Sequence, residues 1–200
     1  MASSEPSEPM RPPLDELAGF IRKDALGRPK LMGVVNVTPD SFYAGSRFDS
    51  EKAINSALDM WDLGADWIDI GGESTRPGSE DVSVDEELNR VIPVIKKLKI
   101  LNPDGLISID TQKAEVAKEA IDAGALMIND VSGLRDEEMF ELVLSENIPV
   151  CIMHMQKKPI NMQVSPYYDD RLGDVSQYLF SKADELIKSG FPSNLIILDP

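Results

Sequence analysis

Six short apolar runs punctuate this 200-residue chain, and each ends on residues capable of polar chemistry. Leu31–Val35 leads into Asn36, and Trp67–Ile70 into Gly71-Gly72-Glu73-Ser74-Thr75-Arg76. Leu106–Ile109 meets Asp110, Leu126–Ile128 meets Asn129, Val150–Met153 meets His154, and Leu195–Leu198 meets Asp199. The runs show little alternation, which fits strands covered on both faces. Stretches long enough for helices separate them. Such a strand–helix rhythm predicts a parallel sheet whose C-terminal strand ends, with their loops, gather on one face where ligands bind. One site assembled from six separated places is therefore expected.

The same patterning sets the elements. A short helix over Leu14–Lys23 covers the bottom of the sheet or packs on a side. Strands run over Leu31–Asn36, Trp67–Ile70, Leu106–Asp110, Leu126–Asn129, Val150–His154 and Leu195–Asp199. Between them, helices are predicted at about 50–63, 84–101, 112–123, 137–146 and 175–189. Ser50 is placed to cap the first of these and Gly64 to stop it. Leu88, Val91, Ile92, Ile95 and Leu98 recur at three- and four-residue spacing in the second. An eight-stranded (β/α) barrel takes about 250 residues, whereas an open doubly wound sheet accommodates six strands. Periodicity alone does not separate the two.

Composition narrows the function classes. At 42% hydrophobic and 28% charged the chain is an ordinary globular protein. Its formal net charge of −15 argues against nucleic acid or an anionic membrane as partner. An anionic substrate would need a local cation or metal to offset that field. The lone cysteine, Cys151, excludes an intrachain disulfide framework and suits a reducing cytoplasm. No apolar stretch approaches the roughly 20 residues that span a bilayer. Residues 1–13 have no hydrophobic signal core and read as a flexible tail.

The polar strand ends carry the candidate chemistry. In Asn36-Val37-Thr38-Pro39-Asp40-Ser41-Phe42, the Asn carbonyl suits a hard cation and Phe42 offers an apolar wall, although the same residues also make an ordinary turn. In Gly71-Gly72-Glu73-Ser74-Thr75-Arg76-Pro77-Gly78-Ser79, the glycines allow close backbone approach and Ser, Thr and Arg donate to oxyanions; Glu73 beside Arg76 equally forms a structural ion pair. Asp110 and Asp199 accept only, matching a heterocycle with NH and NH2 groups, and Asn129 both donates and accepts. Capping of the following helix accounts for Asp110 equally well, and Asp130 points away into the helix layer. His154, the sole histidine, excludes a His-cluster metal site and reads as a hydrogen-bonded structural residue. Met153 and Met155 read as packing, against a flat ligand where one binds. Acidic residues on the helices read as solvated faces.

Taken together, these strings resemble the dihydropteroate synthase family over about residues 31–200. They stand here as MGVVNVTPDSF (32–42), DIGGESTRPGS (69–79), ISIDT (107–111), INDVSG (128–133), MHMQ (153–156) and ILDP (197–200). The resemblance implies a TIM-type (β/α) barrel over residues 14–200, here about six of eight βα units and hence incomplete. It implies condensation of 6-hydroxymethyl-7,8-dihydropterin diphosphate with p-aminobenzoate, releasing pyrophosphate. Asp110, Asn129, Met153 and Asp199 would form the pterin pocket. Asn36 would contact Mg2+ on the diphosphate, and Thr75 and Arg76 would lie near the diphosphate and p-aminobenzoate. Asp40 and Phe42 would belong to the loop completing the p-aminobenzoate pocket, with Asp40 and Arg76 as the catalytic pair.

The chain departs from the family pattern in two respects. Members usually continue past the sixth strand into a Gly-rich loop with a lysine and two more strands ending in an Arg-x-His element, so the resemblance implies a C-terminally truncated fragment of a longer protein. Partners then include a homodimer copy or a complementing C-terminal chain. Ala44 also replaces a usual acidic residue in the first loop, which leaves the acceptor open between p-aminobenzoate and a larger arylamine phosphate. Two other readings are a pterin-binding methyltransferase domain, which would not need the first two loops in this form, and a non-catalytic pterin-binding chain.

Overall fold

The computed structural model describes residues 12–24, 26–38, 46–73, 82–155 and 170–200, with only the backbone of 46–49. The order is α1 (Leu14–Ile21), β1 (Met32–Asn36), α2 (Ser46–Asp62), β2 (Trp67–Gly71), α3 (Val84–Leu101), β3 (Leu106–Asp110), α4 (Ala114–Asp122), β4 (Met127–Asp130), α5 (Glu137–Glu146), β5 (Val150–Met153), α6 (Arg171–Lys188) and β6 (Ile196–Asp199), with a 3-10 turn at Ser193–Leu195. All six strands are parallel and hydrogen-bonded in sequence order, β1-β2-β3-β4-β5-β6. A doubly wound sheet reverses its strand order and carries helices on both faces. Here the order never reverses, so right-handed crossovers put the helices on one face and leave the other as an interior. This is barrel winding.

The runs are mostly apolar and β2 is buried throughout, as expected of strands covered on both faces, but the two faces differ in kind. Val35, Ile68, Ile70, Ile107, Ile109, Ile128, Val150 and Ile152 are buried in one core with Val91, Val94, Ile95 and Leu98 of α3 and Val116, Ala117 and Ala120 of α4. The residues between them, Asn36, Asp69, Gly71, Ser108, Asp110, Asn129, Cys151, Met153 and Asp199, point to the other side, because side chains alternate along a strand. Each isoleucine fully buried on the helix side contributes roughly 1.5–3 kcal/mol. That layer stabilises the sheet while the inner face stays polar.

Local signals set the element ends. The Ser83 hydroxyl accepts from Glu86 N (3.2 Å) to start α3, and the Asp136 carboxylate accepts from Met139 N (3.0 Å) to start α5. Gly64, at φ +100°, follows α2 as expected of a stop. Ser50 is not a cap: α2 begins at Ser46 and Ser50 lies inside it. Likewise α6 begins at Arg171 behind Asp170, whose carboxylate accepts from Gly173 N (3.1 Å), earlier than apolar spacing suggests. At the opposite end of the strands, Trp67 is 2% exposed and its Nε1 donates to the Phe20 carbonyl (3.1 Å). Trp67 opens β2, so α1 covers the bottom of the interior.

Ile109→Ala is expected to lower unfolding free energy by about 2–5 kcal/mol, while Leu63→Ala, at an 87% exposed position, stays within about 0.5 kcal/mol. Urea unfolding followed by circular dichroism checks both. Equal losses would contradict a core on the helix side of β3.

Candidate active site at the C-terminal ends of the strands

Register builds the site from residues far apart in sequence. Asn36 pairs with Gly71, Gly71 with Asp110, Asp110 with Asn129, and Asn129 with Cys151. These residues form one lateral row near the strand ends, all on the inner face. Met153 and Asp199, themselves a register pair, lie two residues further along β5 and β6, a step of about 6.6 Å. Gly71 is the gap in the row: a Cβ there would lie 3.3 Å from both Asn36 Oδ1 and Asp110 Oδ2. Its missing side chain leaves a cleft between an amide oxygen and a carboxylate oxygen.

The floor of this row is acidic. Asp69, one step below Gly71 on the same face, is 3% exposed, and its Oδ2 accepts from Asn129 Nδ2 (2.8 Å). Burial pushes the Asp69 carboxyl above the usual range, opposed by the Ser108 hydroxyl and then by the Asn129 hydrogen bond. Asp110 is pushed up to about 8, first by burial and then by the charges of Asp69, Glu87, Asp130 and Glu73. Its Oδ1 is buried with no hydrogen-bond partner among the described residues. Burial and the charges of Asp199, Asp69, Asp110 and Asp130 push the Cys151 thiol up to about 12, keeping it protonated and unreactive.

Two polar clusters hold the loops around the row. Lys113 Nζ, after β3, bridges Glu73 Oε2 after β2 and Glu87 Oε2 on α3, each at 2.5 Å. Glu87 is wholly buried, which overturns its reading as a solvated helix face; its partner Lys113 lies 26 residues away along the chain. Arg90 donates to the Gly72 carbonyl (2.7 Å), and a Cβ on Gly72 would lie 2.8 Å from Glu87 and Val91, so α3 sits directly against this loop. After β4, Asp130 points into the helix layer as expected and accepts from Ser132 N (2.7 Å), Ser132 Oγ (3.0 Å) and Leu134 N (2.8 Å). That net holds Gly133 and Leu134 at positive φ, 74° and 56°. Tyr178 on α6 donates to the Gly133 carbonyl (2.8 Å) and meets the His154 ring edge-on at 5.3 Å, while Arg135 donates to the Met155 carbonyl. His154 thus packs in this loop cluster.

Of the residues singled out in the sequence, Asn36, Asp110 and Asn129 share the row, with Met153 and the exposed Asp199 beyond it. Asp40, Phe42, Thr75 and Arg76 lie outside the described residues. Glu73, read as a partner for Arg76, is bridged by Lys113. Asp69, Lys113 and Glu87 were missed. Asp69 carried one signal: a charged residue in mid-strand between Ile68 and Ile70.

The model of pterin binding enzymes matches residues 32–200. The dihydropteroate synthase of Escherichia coli is 42% identical over 176 residues, covering 88% of this chain and 62% of that protein. Among solved structures, the Yersinia pestis dihydropteroate synthase in complex with a sulfonamide drug superposes with a TM-score of 0.80 at 44% identity, over 88% of this chain and 64% of that one. The Xanthomonas albilineans dihydropteroate synthase with 4-aminobenzoic acid gives 0.77 at 40% identity, over 88% and 62%. The chain thus spans a little under two thirds of these three relatives, and its six strands match part of their barrel.

Two stability outcomes follow. Between the ordinary carboxylate value of 3.8 and about 8, folded Asp110 keeps a proton that the unfolded chain has released. Stability therefore falls as pH rises through that window. Asp110→Asn removes this term, so its gain over the unsubstituted chain should widen from about pH 5 to about pH 8 in urea titrations; a pH-independent difference would contradict the assignment. Lys113→Met leaves two carboxylates facing each other and is expected to cost about 3–5 kcal/mol. Lys118→Met, from a pair with Asp122 in which both side chains are over 40% exposed, costs about 1 kcal/mol or less.

Proposed function

The chain belongs to the pterin binding enzyme family, and we propose that its activity is that of a dihydropteroate synthase. It would join 6-hydroxymethyl-7,8-dihydropterin diphosphate to p-aminobenzoate and release pyrophosphate. The observation that carries this reading is Asp110, a half-buried carboxylate with one buried oxygen that has no partner among the described residues, beside Asn129 and the Gly71 cleft. A pterin presents an amino group next to a ring NH, the donors that such a carboxylate lacks. The kinship with the synthases named above, two of them solved with a sulfonamide and with 4-aminobenzoic acid, supports the same substrates.

In this reading Asp110 and Asn129 hold the heterocycle, Met153 packs on its face and Asp199 adds a second acceptor. The C–O bond to the diphosphate breaks, the arylamine nitrogen forms the new C–N bond and loses a proton, and no protein nucleophile is required. Arg76 and Thr75 would meet the charge growing on the departing diphosphate, and Asp40 and Phe42 would enclose the arylamine. Asn36 is the residue to hold magnesium. Its exposed amide oxygen borders the Gly71 cleft, and no group of three or more His, Cys, Asp or Glu that could hold a metal exists among the described residues. One protein oxygen shared with phosphate oxygens and water suits magnesium. When bound, the ion supplies charge neutralisation at the leaving group.

The chain's single cysteine, half-buried and free, suits a reducing compartment, and the proposed location is the cytoplasm. Among the described residues no helix is long and apolar enough to cross a membrane.

Mixing the chain with the pterin diphosphate, p-aminobenzoate and magnesium should release pyrophosphate in step with 7,8-dihydropteroate. No release with either p-aminobenzoate or an arylamine phosphate would overturn the reading. Asp110→Asn should weaken 6-hydroxymethylpterin binding by about tenfold to a hundredfold in calorimetry; unchanged affinity would remove Asp110 from the pocket.

A further inference from the structure

Asp69 is the buried acid that the proposed chemistry leaves unused. It lies on β2, and Asn129 lies on β4, so their hydrogen bond spans the intervening strand β3 on the inner face. The β3 residue in register with Asp69 is Ser108, small and fully buried. Its size lets the two longer side chains reach each other. Packing alone does not call for a carboxylate at Asp69. An aliphatic residue of similar volume would fill the position without the penalty of burying an acid. Among the described residues Asp69 Oδ1 is buried without a hydrogen-bond partner, and the donors beside this acid are the Ser108 hydroxyl and the Asn129 amide.

The shape of an asparagine amide is nearly symmetric, but its chemistry is not: one end donates and the other accepts. A carboxylate oxygen only accepts, so contact with Asp69 Oδ2 requires the NH2 end of Asn129 to face β2. The carbonyl oxygen of Asn129 is then the end left for a ligand, beside the carboxylate of Asp110 in the same register row. Two adjacent acceptors demand a heterocycle edge with adjacent NH donors. Were the amide free to turn over, the row would offer one acceptor and one donor, and that demand would relax.

We propose that Asp69 is a positioning residue of the pocket: it fixes the Asn129 amide with its carbonyl toward the ligand and so selects rings that present NH donors. Asp69 touches no reacting atom and acts through Asn129. The proposal rests on the reading of the row as a pterin pocket.

A double-mutant cycle tests it, with 6-hydroxymethylpterin as the probe and calorimetry on the full chain. Asp69→Leu should weaken binding by about tenfold where Asn129 is present and leave affinity unchanged in the Asn129→Ala background. Losses of equal factor in both backgrounds, or no loss in either, would overturn the role for Asp69 while leaving the pterin pocket standing. No binding to the unsubstituted chain would overturn both. Should Asp69→Leu not fold, Asp69→Asn completes the cycle: its own amide can hold Asn129 either way round, so a partial loss confined to the Asn129 background is expected. Hydrogen exchange gives an independent readout on the unsubstituted chain. Slow exchange of the Asn129 side-chain NH2 protons is expected, and exchange at the rate of an exposed asparagine would overturn the proposal.

Discussion

The arrangement of this sheet depends on one electrostatic constraint, the crowding of carboxylates around Asp110 near the strand ends of a chain that already carries a net charge of −15. Asp69, Glu73, Glu87 and Asp130 all raise the cost of ionising Asp110. Neighbouring structure can be read as compensation. Lys113 divides its ammonium between Glu73 and Glu87, Asn129 donates to Asp69, and the turn after β4 folds its own N–H groups onto Asp130. Each compensation also fixes a loop or a side chain beside the row. Electrostatic relief and preorganisation are therefore supplied by the same contacts, and the helix-side aliphatic layer provides the stability against which they are set.

That division between the two faces explains what the chain's pattern revealed and what it hid. The six strands and their polar ends were legible because short, mostly apolar runs between turn formers have few alternatives. Leu106–Asp110 was placed to the residue. The polar character of the inner row was not legible, because Asp69 and Ser108 sit inside apolar runs and the inner positions also include Trp67, Met127 and Cys151. Over four or five residues, a polar atom on alternate positions is easily absorbed into a hydrophobic average. Register was legible only as a convergence of strand ends. That Asn36, Gly71, Asp110 and Asn129 share a row required the paired backbone.

The loop network was hidden for a different reason. Glu87 stands in the first turn of α3 with Asp85 and Glu86, where acids favour the helix dipole. Nothing local distinguishes the one that is buried. Its distinction comes from Lys113 and Glu73, brought to it from the ends of two other strands. The start of α2 was missed because Phe48 stands alone among polar Ser46, Arg47 and Asp49, ahead of the position at which hydrophobic spacing resumes. Ser50 offered a cap of the right chemistry one turn too late.

Asp110 and Asp130 show how a structural acid separates from a functional one. Both close strands and both are pushed up by burial. Asp130 turns toward the helices and accepts three hydrogen bonds from residues two and four positions on, which fully account for it as a brace for a turn held at positive φ. Asp110 turns inward, receives no such bonds at Oδ1, and lies beside the space that Gly71 leaves open. A fold selected for stability alone would not keep a buried acid in that state, because an unsatisfied buried acceptor costs about 1–3 kcal/mol and more when charged. The missing partners are the mark of a ligand that brings them. In the proposed reading, a ring donating two N–H groups to Asp110 would supply the bonds that Asp130 obtains from its own loop. Binding energy would then come partly from relief of a strain built into the ligand-free sheet.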